Sequence, residues 1–365
     1  MTSDFSAAQP PDPKQGWARV IVELHDAVVM APENSRFRQH CGVFDRDGNY
    51  CPQGATWRYN NRMTLHPKSV PNPQGRIPGR WLWGGLLFHH FGHFLVESTA
   101  RLWALEHYEK PLSGIVFVNK RPRMPPQLGG FQRDFIDLLM RDVPVHIVKP
   151  AARFEELVVP GQGFGLGDIA AATPEFRQTF SQKLSQSVAP QGARRLYVSR
   201  SKLPLETAGM IGESKLETLL ERCGYAIFHP QDHSIKAQIA AYRAAEDIII
   251  ADGSAAHLLG FVCRPDQRIA YIVRRSSWSE EPISQIESFR GAAIHVLDEL
   301  HREWIPRDPE TYRQVRIGEL NLEKIGQSLK RAGFIDTGVT LPQMSRPDAE
   351  AILAEQGLLE AFVPA

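Results

Sequence analysis

From residue 194 to residue 297 the chain repeats one pattern: a short unbroken apolar run, then an amphipathic stretch of helix length. RRLYVSR precedes ESKLETLLERCG (213–224), YAIFHP precedes HSIKAQIAAYRAA, and EDIIIADGS feeds directly into AAHLLGFV. RIAYIV (268–273) and AAIHVL (292–297) close the series. Apolar runs without polar alternation suit strands buried on both faces, and helices between them imply a parallel sheet. The helical readings have local support. Ile235, Ile239 and Tyr242 recur at three- and four-residue steps, and Gly224 provides a C-terminal stop.

The first half carries a looser version of the pattern. ARVIVEL (18–24) reads as a strand, and residues 31–80, rich in Arg, Asn, Pro and Gly, as loops and short strands. WLWGGLLF is a buried strand or turn, and GHFLVESTARLWALEHY a helix. GIVFVNK (114–120), VHIVKP (145–150) and EELVVPG (155–161) read as strands, with a helix over FQRDFIDLLM (131–140) and a glycine-rich stop, GQGFGLGD. Alternating strands and helices again imply a parallel sheet covered on both faces. The stretch 171–193 is a helix and hinge. The organisation expected is therefore a lead-in at 1–15 without structure, an α/β domain at 16–175, a second at 176–315, and a helical extension at 316–365 that packs on the body or on a partner.

Composition narrows the function. The 365 residues hold 42 Lys+Arg against 41 Asp+Glu, a net charge of +1, which argues against a general nucleic-acid binder. Hydrophobic content of 42% with 23% charged residues is that of a soluble globular chain. The start lacks a basic segment followed by an apolar core, so no signal peptide is expected, and no apolar segment is long enough to span a bilayer. Cys41, Cys51, Cys223 and Cys263 are scattered with no CxxC pair. This suits reduced thiols and a cytoplasmic protein.

Three segments carry chemistry. In IIIADGSAAHLLG (248–260) an apolar strand ends at Asp252-Gly253-Ser254 and a helix begins at once. Free N–H groups there, approached closely past Gly253, form an anion seat at a strand's carboxyl end; the plainer reading makes Ser254 an N-cap. In RRLYVSRSKLP, Arg200 and Lys202 follow a strand, placed to neutralise a diphosphate or to form a solvated basic loop. In HHFGHFLVE, His89, His93 and Glu97 are spaced to share a helix face while His90 turns away. An acid/base pair of His93 and Glu97, a purely structural pair, and a metal site of His89, His93 and Glu97 all fit this spacing.

Taken in order, HFGHFLVESTARLWAL, RRLYVSRSKL, GESKLETLLERCGYAIFHP and AQIAAYRAAEDIIIADGSAAHLLGF resemble glycosyltransferase family 61 over about residues 80–275. The resemblance implies a GT-B fold, two Rossmann-like domains facing across a cleft, the second holding a nucleotide-diphospho-sugar. It implies inversion at the anomeric carbon with no metal or other cofactor. His93 and Glu97 match the family's His-x-x-x-acid helix, Arg200 its arginine after the strand, and Glu213 the glutamate opening the next helix. Gln238 matches a helix glutamine, and Gly253-Ser254-Ala255 the small-residue turn. The family's usual histidine before that glycine is Asp252 here, its Asn before Glu213 is Gly212, and its Thr-Asn pair after the turn is His257-Leu258. Asp252 is thus expected to bind a sugar hydroxyl, or His257 to supply the missing imidazole.

The expected function is an inverting, metal-independent transfer of a hexosyl or pentosyl group to a glycan or glycolipid acceptor, as in surface or capsular polysaccharide synthesis. The protein would work in the cytoplasm, with room for peripheral association at the membrane's inner face. Glu97 is read as the base, oriented by His93, with the reverse assignment open. Arg200, Lys202 and the Gly253-Ser254 helix start are read as stabilising the leaving diphosphate. Two other classes stand beside this one: a non-catalytic glycan- or nucleotide-binding module, and a metal-dependent hydrolase built on His89, His93 and Glu97.

Overall fold

The computed structural model describes residues 9–69, 72–73, 75–207, 209–277, 279–312, 315–336, 338 and 340–365. The start of the expected lead-in, residues 1–8, lies outside them. The chain divides into two compact units, residues 1–188 and 189–365. Both are α/β.

In the first unit the strands are β1 (Ile21–Met30), β2 (Gly42–Phe44), β3 (Ile77–Leu87), β4 (Gly114–Asn119), β5 (Val145–Val148) and β6 (Ala151–Pro160). They form one sheet in the order β2-β1-β6-β3-β4-β5. From β6 to β5 the pairing is parallel, but β1 runs antiparallel to both β6 and β2, so the sheet is mixed and not parallel throughout. Burial explains the split. Every residue of β4 is buried, whereas the first six of β1 are at most half-buried, as an antiparallel edge facing water on one side permits. The double glycine of β3 bends the strand where its register with β4 shifts. A Cβ on Gly84 would lie 2.3 Å from the Phe117 ring, so that ring packs directly on backbone. Helices α1 (Gly130–Leu139) and α2 (Pro174–Ser187) complete the unit.

The sequence predicts one regular helix over residues 92–108. Instead, a single α turn (Phe91–His93) opens into a wide π-type turn (Phe94–Ser98), then irregular turns, then a short helix (Ala104–His107). Side chains compete here with the backbone ladder. Thr99 Oγ1 donates to the Leu95 carbonyl at 2.6 Å, and Ser98 Oγ is taken by the Phe88 N–H at 2.9 Å. Arg101, fully buried, reaches the carbonyls of Gln53, Ala55 and Pro160. Burial lowers its pKa to about 10.

The second unit contains β7 (Arg195–Val198), β8 (Met210–Ile211), α3 (Glu213–Arg222), β9 (Ala226–Phe228), α4 (Ile235–Ala244), β10 (Asp247–Ala251), α5 (Ala255–Val262), β11 (Arg268–Ile272), α6 (Glu281–Arg290) and β12 (His295–Leu297). Five strands form a wholly parallel sheet in the order β9-β7-β10-β11-β12. That is the 2-1-3-4-5 order of doubly wound sheets, whose direction reverses between β7 and β10. Helix α3 stops as its sequence suggests: Gly224 takes φ +81°, and Tyr225 N–H closes on the Leu220 carbonyl at 2.9 Å.

The last fifty residues are not a purely helical extension. β13 (Leu300–Pro306), β14 (Ile317–Leu320) and β15 (Phe362–Pro364) join β8 in a four-stranded sheet ordered β8-β14-β13-β15. These strands are short and carry buried charge, which hides them from a hydrophobic pattern: Glu319 is fully buried, held by Trp304 Nε1 at 3.0 Å and by Arg302 at 3.1 Å. Helices α7 (Leu322–Arg331) and α8 (Arg346–Glu355) send Ile325, Leu329 and Leu353 into the same core as Leu216, Leu220 and Ile249. The tail therefore packs on the body. Among the described residues, no helix is long and apolar enough to cross a membrane.

Arg101 offers a direct test of the first unit. Replacing it with Met strands three buried carbonyls, at about 1–3 kcal/mol each. Urea unfolding followed by tryptophan fluorescence is expected to show a loss of about 3 kcal/mol or more. A loss under about 1 kcal/mol would mean those carbonyls find other donors.

Candidate functional site

Each unit gathers chemistry at the carboxyl edge of its parallel strands, where open α/β sheets bind ligands. In the first unit this edge follows β3 and β4. His93 Nδ1 lies 2.8 Å from Glu97 Oε2. Arg58 grips the same carboxylate with a two-pronged fork, Nε to Oε1 at 2.9 Å and Nη2 to Oε2 at 2.6 Å. The Glu97 side chain is 0% exposed and that of His93 is 40% exposed. The acid is thus sealed and saturated, and the imidazole is the group that meets solvent. Because a carboxylate only accepts, Nδ1 carries the hydrogen, which leaves Nε2 as the basic nitrogen.

Arg58 was not singled out from the sequence, and its placement depends on the glycine-rich segment after β6. Gln162, buried, accepts the Trp57 N–H at 2.8 Å and donates to the Trp57 carbonyl at 2.9 Å. Tyr59 N–H reaches the Leu166 carbonyl at 3.1 Å. A Cβ on Gly161 would lie 2.0 Å from the Trp17 carbonyl oxygen, so only glycine lets the segment pass. The hairpin pairing Trp57–Arg58 with Asn61–Arg62 is thereby fixed, and Arg58 with it. Its guanidinium lies between two rings, 5.6 Å from Phe37 and 5.5 Å from Phe88.

His89 precedes the helical turn, and its Nε2 lies 3.1 Å from Asn119 Oδ1. His90 does not turn away, since its ring centroid is 5.3 Å from that of His93. The trio imagined as a metal site is therefore not assembled: His89 faces Asn119, and both Glu97 oxygens are engaged. Among the described residues no group of three His, Cys, Asp or Glu side chains is arranged to hold a metal.

In the second unit the switch point between β7 and β10 brings Arg200 and Gly253 together. A Cβ on Gly253 would lie 2.0 Å from Arg200 Nη1, so the guanidinium covers that turn and only glycine allows it. Two further arginines, absent from the sequence reading, follow β11. Arg274 Nε stands 3.5 Å from Asp252 Oδ2, an electrostatic contact too long for a hydrogen bond, and Nε of both Arg274 and Arg275 is buried without a hydrogen-bonding protein atom. Burial lowers the pKa of Arg200 and of Arg274; Asp252 opposes the shift in both, and Arg275 adds repulsion. Asp252, also held by Tyr271 Oη at 2.6 Å, is one carboxylate among three guanidinium groups.

Helix α5 begins beside them. Ser254 has helical backbone angles and makes no side-chain cap, so it is not an N-cap serine. His257 turns to α6, its Nδ1 lying 2.8 Å from Gln285 Oε1. Ala255 is buried in the first turn. Glu213 opens α3 beneath the edge, accepting at Oε1 from Arg200 N–H (2.8 Å), Tyr197 Oη (2.8 Å) and Ser199 Oγ (3.0 Å). Burial raises its pKa against those bonds, and its Oε2 has no hydrogen-bond partner. Gln238 ties the turn before α4 through the carbonyls of Pro230 and His233. Lys202 pairs with Asp232 at 2.8 Å and is not placed with Arg200 at Gly253.

A doubly wound α/β protein with a guanidinium-lined switch point is the class these features define. Residues 91–270 match the model of the family described as Glycosyltransferase 61. That match supports glycosyltransferase family 61 for this segment, and the family suggests a glycosyltransferase. The match starts at Phe91 and ends at Ala270, so Arg58, Arg274 and Arg275 lie outside it. Comparison with curated proteins gives no match.

The His93–Glu97–Arg58 arrangement predicts unequal costs. Glu97→Gln leaves a half-buried guanidinium without its counter-charge, with an expected loss of about 3 kcal/mol in unfolding free energy. His93→Ala, which removes a partly exposed ring, is expected to cost under about 1 kcal/mol. Equal losses by urea titration would mark His93 as a packing element and not a group presented to solvent.

Proposed function

We propose that this chain is an inverting, metal-independent glycosyltransferase of GT-B type. It would move a sugar from a nucleotide-diphospho-sugar to a glycan or glycolipid acceptor, in surface or capsular polysaccharide synthesis on the cytoplasmic side of the membrane. The observation that carries the donor half is the cluster of Arg200, Arg274 and Arg275 around Gly253. The buried Nε atoms of Arg274 and Arg275, without a hydrogen-bonding protein atom at the point where doubly wound sheets take ligands, suit a diphosphate.

Asp252 fits this reading. It would repel a diphosphate if it stood alone, but here it cancels one of three positive charges and anchors two of the groups that bear them. Asp252, held by Tyr271 and Arg274, thus organises the seat. This removes the main support for a non-catalytic module.

For the base, the geometry supports His93 oriented by Glu97, the reverse of the first reading from sequence. In the step proposed, His93 Nε2 takes the acceptor hydroxyl proton as that oxygen bonds to the anomeric carbon. The bond from that carbon to the diphosphate oxygen breaks, and its electron pair leaves with the nucleoside diphosphate. Arg200, Arg274, Arg275 and the first N–H groups of α5 stabilise the charge that develops. Attack opposite the departing group inverts the anomeric centre.

The test is turnover of UDP-, GDP- and dTDP-linked sugars, with and without EDTA, alongside thermal shift. His93→Ala is expected to lower turnover about 10²–10⁴-fold while the donor still raises the melting midpoint. Arg200→Ala is expected to lose that stabilisation as well. Activity abolished by EDTA and restored by a divalent cation would overturn the metal-independent step. Full activity in His93→Ala would overturn the base assignment.

A further inference from the structure

Arg274 and Arg275 stand just past the end of β11, outside any helix or strand. Long cationic side chains on a loop ordinarily extend into water. Here Arg274 is buried, and Nε of each arginine is buried without a hydrogen-bonding protein atom. Asp252 stands 3.5 Å from Arg274, beyond hydrogen-bonding reach, and the Arg275 charge repels that of Arg274. Where these two groups point is therefore set chiefly by the backbone that carries them.

That backbone is held by the C-terminal sheet. Ser276 donates its N–H to Glu303 Oε1 at 2.8 Å and its hydroxyl to Glu303 Oε2 at 2.7 Å. Arg316 Nη1 donates to the same Oε2 at 2.9 Å, tying β13 to the residue just ahead of β14. Burial raises the Glu303 pKa, but the bonds from Ser276 and Arg316 outweigh it and keep the carboxyl below its usual range. Glu303 is thus a charged anchor with both oxygens engaged. On β14, a Cβ on Gly318 would lie 2.0 Å from the Arg274 carbonyl oxygen, so that carbonyl packs directly on the strand's backbone. Val273 N–H closes on the Leu297 carbonyl of β12 at 2.9 Å. The main chain is therefore fixed at 273, 274 and 276, on both sides of Arg275. Beneath it, Ile272, Leu297, Trp304 and Ile317 share one core.

We propose that Glu303 is a positioning residue for the anion seat: through Ser276 it fixes the loop that presents Arg274 and Arg275, and Gly318 lets β14 brace the same loop. Donors fixed in advance stabilise a leaving diphosphate, whereas loose arginines lose affinity to the ordering that binding demands. The sign of the effect separates geometry from charge. A carboxylate repels an anion, so by Coulomb's law alone, removing Glu303 would tighten anion binding. If its work is to hold the arginines, removing it weakens that binding. Glu303 and Gly318 both lie beyond residues 91–270, the segment that matches the family. The proposal rests on the diphosphate reading for the identity of the ligand, while the anchoring of the loop does not depend on it.

Calorimetry of the full chain with inorganic pyrophosphate tests it, paired with NMR of the arginine Nε–H groups. Glu303→Ala and Gly318→Ala are each expected to weaken pyrophosphate binding by about tenfold. Glu303→Gln, which can still accept the Ser276 N–H, is expected to recover most of that loss. Phe362→Leu loosens β15 of the same sheet without touching Ser276, and is expected to bind as the wild type does. The Arg275 Nε–H signal, assigned by its loss in Arg275→Lys, is expected to exchange with water about tenfold faster in Glu303→Ala and unchanged in Phe362→Leu. Undiminished or tighter binding in Glu303→Ala overturns the positioning role, as does unchanged Arg275 exchange there. Equal weakening in Phe362→Leu also overturns it, because general loosening of the sheet would then suffice. A wild-type chain that binds no pyrophosphate overturns the diphosphate reading of this edge, while the exchange comparison still decides whether Glu303 holds the arginine.

Discussion

Glu97 lies in the interior with no access to solvent, and a carboxylate can stay there only against a compensating charge. Arg58 supplies it, and much of the first unit serves that bond. Glycines after β6 let the backbone pass close to Trp17; Gln162 then fixes Trp57, and Trp57 fixes the register of the arginine beside it. On the helical side, Ser98 and Thr99 widen the turn, and Arg101 pins it to the carbonyls of the strand end. His93 is left with its Nδ1 on Glu97 and its ring partly exposed to solvent. The arrangement separates the two groups: the acid is sealed against Arg58 and the imidazole meets solvent.

The second unit solves the opposite problem, that of concentrating positive charge in one place. At the amino ends of its strands the charges cancel pairwise, with Arg194 on Glu246 and both Arg195 and Arg268 on Asp247. At the carboxyl ends Arg200 and Arg274 share Asp252, and Arg275 adds its repulsion to both. Burial works against all this charge, lowering the pKa of Arg200 and Arg274 below the usual arginine range. Such an imbalance is unfavourable by itself, and the proposed diphosphate would relieve it. At the amino edge Arg194, Arg195 and Arg268 therefore each have a carboxylate within reach, whereas at the carboxyl edge Arg275 has no acid partner among the described residues.

How much of this the sequence disclosed depended on whether the signal was local. The five parallel strands of the second unit were legible because each is a short apolar run and all but the last precede a helix. The strands around Glu319 were not, because they are short and bury charge in place of alternating hydrophobics. The same division holds at the site. His93 and Glu97 share a helical turn and could be paired by counting, whereas Arg58 sits in a segment without periodicity and among several other arginines. The available clue was physical: a glutamate inside an apolar helix requires a cation from elsewhere, though nothing in the spacing names which one. Arg274 and Arg275 were within reach, since the rule that drew attention to Arg200, charge just past a strand's carboxyl end, applies equally to the arginines after RIAYIV.

Asp252 shows why a residue type read in isolation misleads. Where the family usually has histidine, a carboxylate beside a diphosphate seat suggests lost function. The sign of its effect, however, depends on its neighbours. With Tyr271 donating at 2.6 Å and the Arg274 charge 3.5 Å away, its negative charge is already balanced within the protein. Removing it would leave three guanidinium groups to repel one another in a buried space, and long side chains relieve such repulsion by swinging outward into water. A seat so loosened would lose geometry faster than it gained charge, and stabilising a leaving group depends on donors fixed in advance. On this argument Asp252 and the arginines form one unit, and an anion-binding edge can require a carboxylate to hold its shape.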